Sequence, residues 1–212
     1  MKRPKIVYIY DALCGWCYGF SDVLSGLYDN YKDTIDFDVL SGGLFVGERV
    51  GPINQVAGYI KKGAYKRVEE TTGVMFGKAF IEGLDKEPEM IMESIWPAVA
   101  LCIVKEEQPN KVFEFASILK KAFYHDNLNP VDSVGYGPLA AKIGLDADDF
   151  NKKMGEQQYK ELAVQEFEAY RGMGINGFPA LVLDLEGQMM LLAQGYTPYD
   201  AIIERLQSVK AI

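Results

Sequence analysis

The feature that most constrains this chain is a short apolar run that ends beside a pair of cysteines: Lys5-Ile6-Val7-Tyr8-Ile9-Tyr10, then Asp11-Ala12-Leu13-Cys14-Gly15-Trp16-Cys17. β-Branched and aromatic residues without polar alternation predict a strand covered on both faces of a sheet. From about Gly15 the apolar positions Phe20, Val23, Leu24, Leu27, Tyr28 and Tyr31 recur at helical spacing, which predicts one helix lying on that sheet. Asp36-Phe37-Asp38-Val39-Leu40 alternates polar and apolar residues and predicts a second strand, parallel to the first if the crossover takes the usual right hand. The chain therefore opens as strand, helix, strand, with two sulfurs at the first junction.

Unpaired N–H groups and the macrodipole at a helix start favour a thiolate at Cys14, and Cys17, one turn on, is placed to close a disulfide with it. Attack by Cys14 on a substrate disulfide gives a mixed disulfide that Cys17 resolves. Three other readings stay open. A structural disulfide of so short a span closes little loop entropy in a chain of 212 residues. A zinc site takes about four ligands, and the remaining sulfur and imidazole groups are Cys102 and the single histidine, His125. Two ordinary core cysteines are the third reading, since free Cys is among the most buried residue types.

An apolar share of 49% is enough to fill a sizeable core. A net charge of -8 without a Lys/Arg cluster disfavours nucleic acid and anionic membrane surfaces as partners, leaving thiols and proteins as the expected substrates. Met1-Lys2-Arg3 before an apolar run has the outline of a signal peptide, but the run is too short and no cleavage pattern follows. Leu13 also stands where a lipoprotein signal places a small residue. No stretch is long enough to span a membrane, and a cytoplasmic location is the expectation.

Ser41 to Pro52 is glycine-rich but lacks the Lys-Ser or Lys-Thr of a phosphate-binding loop, so a connecting loop is predicted. From Val56 to about Arg171 the periodicity is helical and no strand is predicted. Ser94 is placed to cap a helix with Pro97 in its first turn and Val99, Ala100, Cys102, Ile103 and Val104 as apolar surface, which makes Cys102 a core residue. Pro109 opens another helix with Val112, Phe113, Phe115, Ala116, Leu119 and Phe123 as its stripe; His125 is a helix-terminal residue rather than a base. Leu139, Ala140, Ile143 and Leu145, with Gly144 as a C-cap, and Phe150 to Met154 continue the pattern. Tyr159 to Tyr170 predicts a longer helix with Leu162, Ala163, Phe167 and Tyr170 inward. Gly172-Met173-Gly174-Ile175-Asn176-Gly177 carries the letters of a dinucleotide fingerprint, but a helix precedes it and a strand follows, the reverse of what that site needs. A helix stop and a tight turn are predicted instead. Phe178 to Asp184 and Met189 to Ala193, around Glu186-Gly187, predict an antiparallel hairpin. Pro198 begins a last helix carrying Ala201, Ile202, Leu206 and Val209.

A strand–helix–strand half and a strand–strand–helix half, with Cys-x-x-Cys at the first junction and Gly177-Phe178-Pro179 entering the third strand, resemble a thioredoxin fold interrupted by helices. The layout is similar to that of the DsbA family of disulfide oxidoreductases. Cys14-Gly15-Trp16-Cys17-Tyr18 looks closest to its cytoplasmic FrnE-like branch, in which Trp before the second cysteine and Tyr after it recur. Gly174-Ile175-Asn176-Gly177-Phe178-Pro179 is similar to the family's Gly-Val-x-Gly-x-Pro turn. The resemblance covers nearly the whole chain and implies an α/β thioredoxin-like fold, with residues 1–52 and 172–212 forming the thioredoxin-like domain and 53–171 an inserted all-helical domain.

The same resemblance implies that Cys14 attacks and Cys17 resolves, that Gly15, Trp16, Phe178 and Pro179 bind substrate, and that the Phe178–Pro179 bond is cis beside the Cys14 sulfur. Gly-Trp replaces the Pro-His of the strongly oxidising periplasmic enzyme, which removes a thiolate-stabilising histidine. Tyr8 stands where many thioredoxin-fold enzymes bury an acid; Asp11 lies nearer, with loop capping the expected role ahead of proton relay. The implied activity is reduction or isomerisation of protein or small-molecule disulfides, with a cellular dithiol as reductant. No dissociable cofactor and no metal are expected, and glutathione is a candidate co-substrate. Two rivals stand beside it: a glutathione-dependent transferase or isomerase of the kappa-like group, which typically has a serine where Cys14 stands, and a non-catalytic chaperone.

Overall fold

The computed structural model describes residues 3–212; Met1 and Lys2, at the start of the first thioredoxin-like segment, lie outside the described residues. Strand β1 (Lys5–Tyr10) leads into α1 (Gly15–Gly19), α2 (Ser21–Tyr31) and β2 (Asp36–Ser41). The single helix expected after the first strand is thus two helices, broken at the wholly buried Phe20. α1 sits tightly on a helix of the following segment: a Cβ on Gly19 would lie 2.6 Å from Val68 Cγ1.

That segment holds β3 (Gly51–Pro52), α3 (Ile53–Val56), α4 (Tyr65–Thr72), α5 (Lys78–Lys86), β4 (Ile91–Met92), α6 (Ile95–Glu107), α7 (Val112–Tyr124), α8 (Gly137–Ala141), α9 (Ala147–Met154) and α10 (Gln157–Gly172). β3 and β4 pair antiparallel, Gly51 with Met92 and Pro52 with Ile91, where only loop and helix were expected. Strands of two residues are too short to show a period. Ser94 precedes α6 as predicted, but its hydroxyl makes no cap bond; it accepts the Phe45 N–H at 2.9 Å instead. Leu162 is 39% exposed rather than inward, because α10 turns Tyr159, Ala163 and Phe167 to the core at four-residue spacing and Leu162 falls one position off that stripe.

β5 (Ala180–Leu185), β6 (Gln188–Gln194) and α11 (Tyr199–Ser208) complete the chain. The main sheet runs β2-β1-β5-β6, with β1 parallel to β2 and antiparallel to β5. This is an α/β thioredoxin-like sheet with β1 at its centre. Successive residues of β1 face opposite sides: Ile6, Tyr8 and Tyr10 enter a large apolar cluster, while Val7 and Ile9 meet Ala180, Val182, Ile175 and Phe178 on the other face. The large cluster continues through Phe115, Tyr124 and Phe150, so sheet and helical segment share one core. Among the described residues no helix is long and apolar enough to cross a membrane.

Candidate active site

The end of β1 carries Asp11, whose buried carboxylate accepts the Leu13 N–H at 2.9 Å and the Leu44 N–H at 2.7 Å. Burial pushes the Asp11 carboxyl up, and the bonds from Leu44 and Leu13 oppose that push. Asp11 therefore fastens the turn before the cysteines to the loop after β2, the capping role expected for it. The Cys14 N–H bonds the Asp11 carbonyl at 3.1 Å, and the Tyr124 hydroxyl donates to the Leu13 carbonyl. These bonds fix Cys14 in extended geometry as the residue before α1.

Cys14 and Cys17 are both free thiols, Cys14 at 7% exposure and Cys17 at 0%. The Cys14 sulfur lies 3.9 Å from the Phe178 carbonyl, and the Phe178–Pro179 bond is cis. The turn is held from several sides: the Gly177 N–H donates to the Tyr170 hydroxyl at 2.9 Å, the Phe178 ring packs on Tyr170 at 4.8 Å, and the Pro179 carbonyl accepts the Gly195 N–H at 2.7 Å. Over Cys14 opens a small, mostly apolar cavity of about 70 Å³ lined by Gly15, Trp16, Leu44, Tyr59, Tyr65, Phe76 and Tyr124. The structure thus brings Cys14, Gly15 and Trp16 to one cavity wall and Phe178 beside the sulfur, with Cys17 behind.

Burial pushes the Cys17 thiol well up, and the adjacent Cys14 sulfur adds to this. Cys102, on α6, is pushed up to about 12, mainly by burial and then by the Glu166 charge. His125 follows α7 and pairs at 2.6 Å with Asp126 at the surface. Among the described residues no group of three or more His, Cys, Asp or Glu side chains converges on a metal site.

A DSBA-like thioredoxin domain matches residues 5–207. The chain belongs to the DsbA-like thioredoxin-domain family. It is thereby a member of a thiol–disulfide oxidoreductase family. Solved structures agree in fold. A candidate protein disulfide isomerase from Nitrosomonas europaea is 25% identical, with a TM-score of 0.85 over 98% of this chain and 97% of that one. The cytosolic disulfide reductase DsbM from Pseudomonas aeruginosa is 22% identical, with a TM-score of 0.79 over 98% and 100% of the two chains. Its structure with GSH gives 23% identity and a TM-score of 0.77 over 97% and 99%. No curated protein matches the chain.

Two features of this DsbA-like site escape a reading of the sequence. A Cβ on Gly42 would come within 1.9 Å of the Phe178 ring, so glycine there makes room for the turn beside Cys14. Lys120 of α7 is wholly buried beneath Cys17. Its signal was present: a lysine on the helical stripe with Ala116 one turn before it and Phe123 and Tyr124 one turn after.

Proposed function

We propose that this protein reduces or isomerises disulfide bonds, with Cys14 as the attacking and Cys17 as the resolving cysteine. The observation that carries the reading is the layered pair of free thiols, Cys14 bordering a cavity and the Phe178 carbonyl, Cys17 sealed behind it. The Cys14 thiolate attacks one sulfur of a substrate disulfide, forming a mixed disulfide and releasing the first substrate thiolate. Cys17 loses its proton and attacks the Cys14 sulfur, closing the Cys14–Cys17 disulfide and releasing the second thiolate. The substrate gains two electrons, the cysteine pair loses two, and a dithiol reductant restores them.

Gly15 and Trp16 form the cavity wall that receives the apolar flank of the substrate, and the Phe178 backbone pairs with an extended substrate segment in the manner of strand addition. Pro179, having no N–H, keeps a backbone donor away from the reacting sulfur. The retention of both cysteines favours this reading over a kappa-like transferase, and no cofactor or metal enters the steps above. Glutathione as a co-substrate and a cytoplasmic location are supported by the DsbM likeness. The test is insulin reduction by dithiothreitol. Wild-type protein accelerates it and Cys14→Ser does not, while Cys17→Ala accumulates mixed disulfides on non-reducing gels that vanish when Cys14 is also replaced. Glutathione-agarose retention without insulin reduction would favour the transferase reading.

A further inference from the structure

The resolving step asks the least accessible thiol of the site to lose a proton, and among the described residues no carboxylate takes the place beneath it. That place holds Tyr8 from β1 and Lys120 from α7, both wholly buried. The Lys120 ammonium nitrogen lies 3.2 Å from the Cys17 carbonyl and 5.2 Å from the centroid of the Tyr8 ring. Among the described residues no carboxylate forms an ion pair with it, and the Tyr8 hydroxyl has no hydrogen-bond partner. One carbonyl and one aromatic face are little compensation for burying an amine. A lysine kept in such a place has a use for its proton.

We infer that Lys120 takes up the Cys17 proton during resolution of the mixed disulfide and returns it when the pair is reduced again. The inference rests on the redox reading of Cys14 and Cys17. In the step, Cys17–SH passes its proton to the neutral amine, and the Cys17 thiolate attacks the Cys14 sulfur. The Cys14–S–S–R bond breaks, R–S⁻ leaves, and the ammonium remains beside the new disulfide. Lys120 acts through Cys17 and touches no substrate.

Burial lowers the Lys120 amine to about 8, while charge on Cys17 and Cys14 from the start of α1 and on Asp22 from α2 pulls it back up. Both protonation states are therefore accessible near neutral pH. The Lys120 charge in turn draws the buried Cys17 thiol down. Forming the Cys14–Cys17 disulfide leaves neither sulfur able to carry the charge that pulls the amine up, so the amine titrates lower in the oxidised protein than in the reduced one.

Two measurements test this. The first uses wild-type protein carrying ¹³Cε-lysine, titrated by NMR in both redox states. A buried lysine resonance with a midpoint near 8 when reduced, moving lower on oxidation, supports the inference; the same midpoint in both states overturns it. The second is a single turnover of reduced protein with oxidised glutathione, quenched and followed by mass spectrometry across the pH range around 8. Lys120→Met should form the Cys14–glutathione adduct within about twofold of the wild-type rate and resolve it at least about tenfold more slowly, with its pH midpoint moved up. Equal slowing of both steps, or resolution at the wild-type rate, overturns the inference alone. Failure of wild-type Cys14 to form any adduct overturns the redox reading and the inference with it.

Discussion

The first turn of α1 and the middle of α6 each hide a cysteine, Cys17 at 0% exposure and Cys102 at 4%. Burial pushes both thiols up, and there the likeness ends. Cys17 has a second sulfur one turn away, an acceptor carbonyl beyond it on Phe178, and beneath it a buried amine that donates to the Cys17 carbonyl. Cys102 faces Lys105 and Glu166, which already satisfy each other as an ion pair. Burial thus says nothing about use; the partners able to accept electrons, protons or a substrate backbone do. The largest expected effect follows: Cys14→Ser removes insulin reduction to the level of dithiothreitol alone, whereas Cys102→Ser stays within about twofold of wild type. An inactive, folded Cys102→Ser protein would break the comparison.

Alkylation sharpens it next. A thiol pushed up to about 12 by burial is almost wholly protonated near neutral pH and offers very little thiolate to an alkylating agent. Native reduced protein treated with iodoacetamide should therefore label Cys14, the sulfur bordering the cavity, long before Cys102, which reacts only on unfolding. Peptide mapping that finds Cys102 labelled first would reverse the assignment.

Much of this contrast was legible in the sequence. The Cys14–Cys17 spacing after an apolar strand, the Gly177-Phe178-Pro179 turn and the apolar stripe around Cys102 each announce themselves locally, because strand and helix periods and turn residues are local signals. What escaped depends on contacts between distant residues. Gly19 lies tightly against Val68, the hydroxyl of Ser94 is claimed by Phe45, and Gly42 is required by a ring 136 positions later. β3 and β4, two residues each, leave no period to detect. Lys120 lay in plain view on an apolar stripe, yet only the packing of α7 against α1 shows what it stands under.

Lys120 also separates the two regions energetically. Its amine is held near 8 in the fold against 10.5 in the unfolded chain, so between those values the unfolded chain binds the extra proton and stability rises with pH. The cost of burying the charge is full below about pH 8 and gone above about 10.5. Reduced Lys120→Met should therefore be more stable than wild type near neutral pH, by up to about 3 kcal/mol less the lost bond to the Cys17 carbonyl. Urea unfolding at two pH values checks the sign: the variant's advantage should shrink by about 2 kcal/mol between pH 7 and 9.5. Cys102→Ser should show the opposite trend: its thiol is pushed up to about 12 in the fold, so above about pH 9 the unfolded wild-type chain loses that proton first and the variant gains on wild type as pH rises. An advantage that grows with pH would mean that Lys120 is stabilised, not strained, by its place.

The smallest effect concerns the Phe178 carbonyl beside the Cys14 sulfur. An alanine methyl at position 42 would lie 1.9 Å from one Phe178 ring carbon and 2.3 Å from the next, so the ring must leave its place on Tyr170. Overpacking of this kind costs about 1–3 kcal/mol. Displacing Phe178 also moves the carbonyl beside the Cys14 sulfur without touching either cysteine. Gly42→Ala should raise KM for a disulfide-bonded peptide by about fivefold, the worth of one net backbone hydrogen bond, and leave the rate with hydroxyethyl disulfide, which has no backbone, unchanged. Gly172→Ala, whose methyl would meet open space, is the control for a glycine replaced without a clash. If both substrates slow alike in Gly42→Ala, the turn serves only to hold the fold. A peptide-selective loss makes the Phe178 backbone a binding edge, and the difference between the two buried cysteines then extends to the substrate.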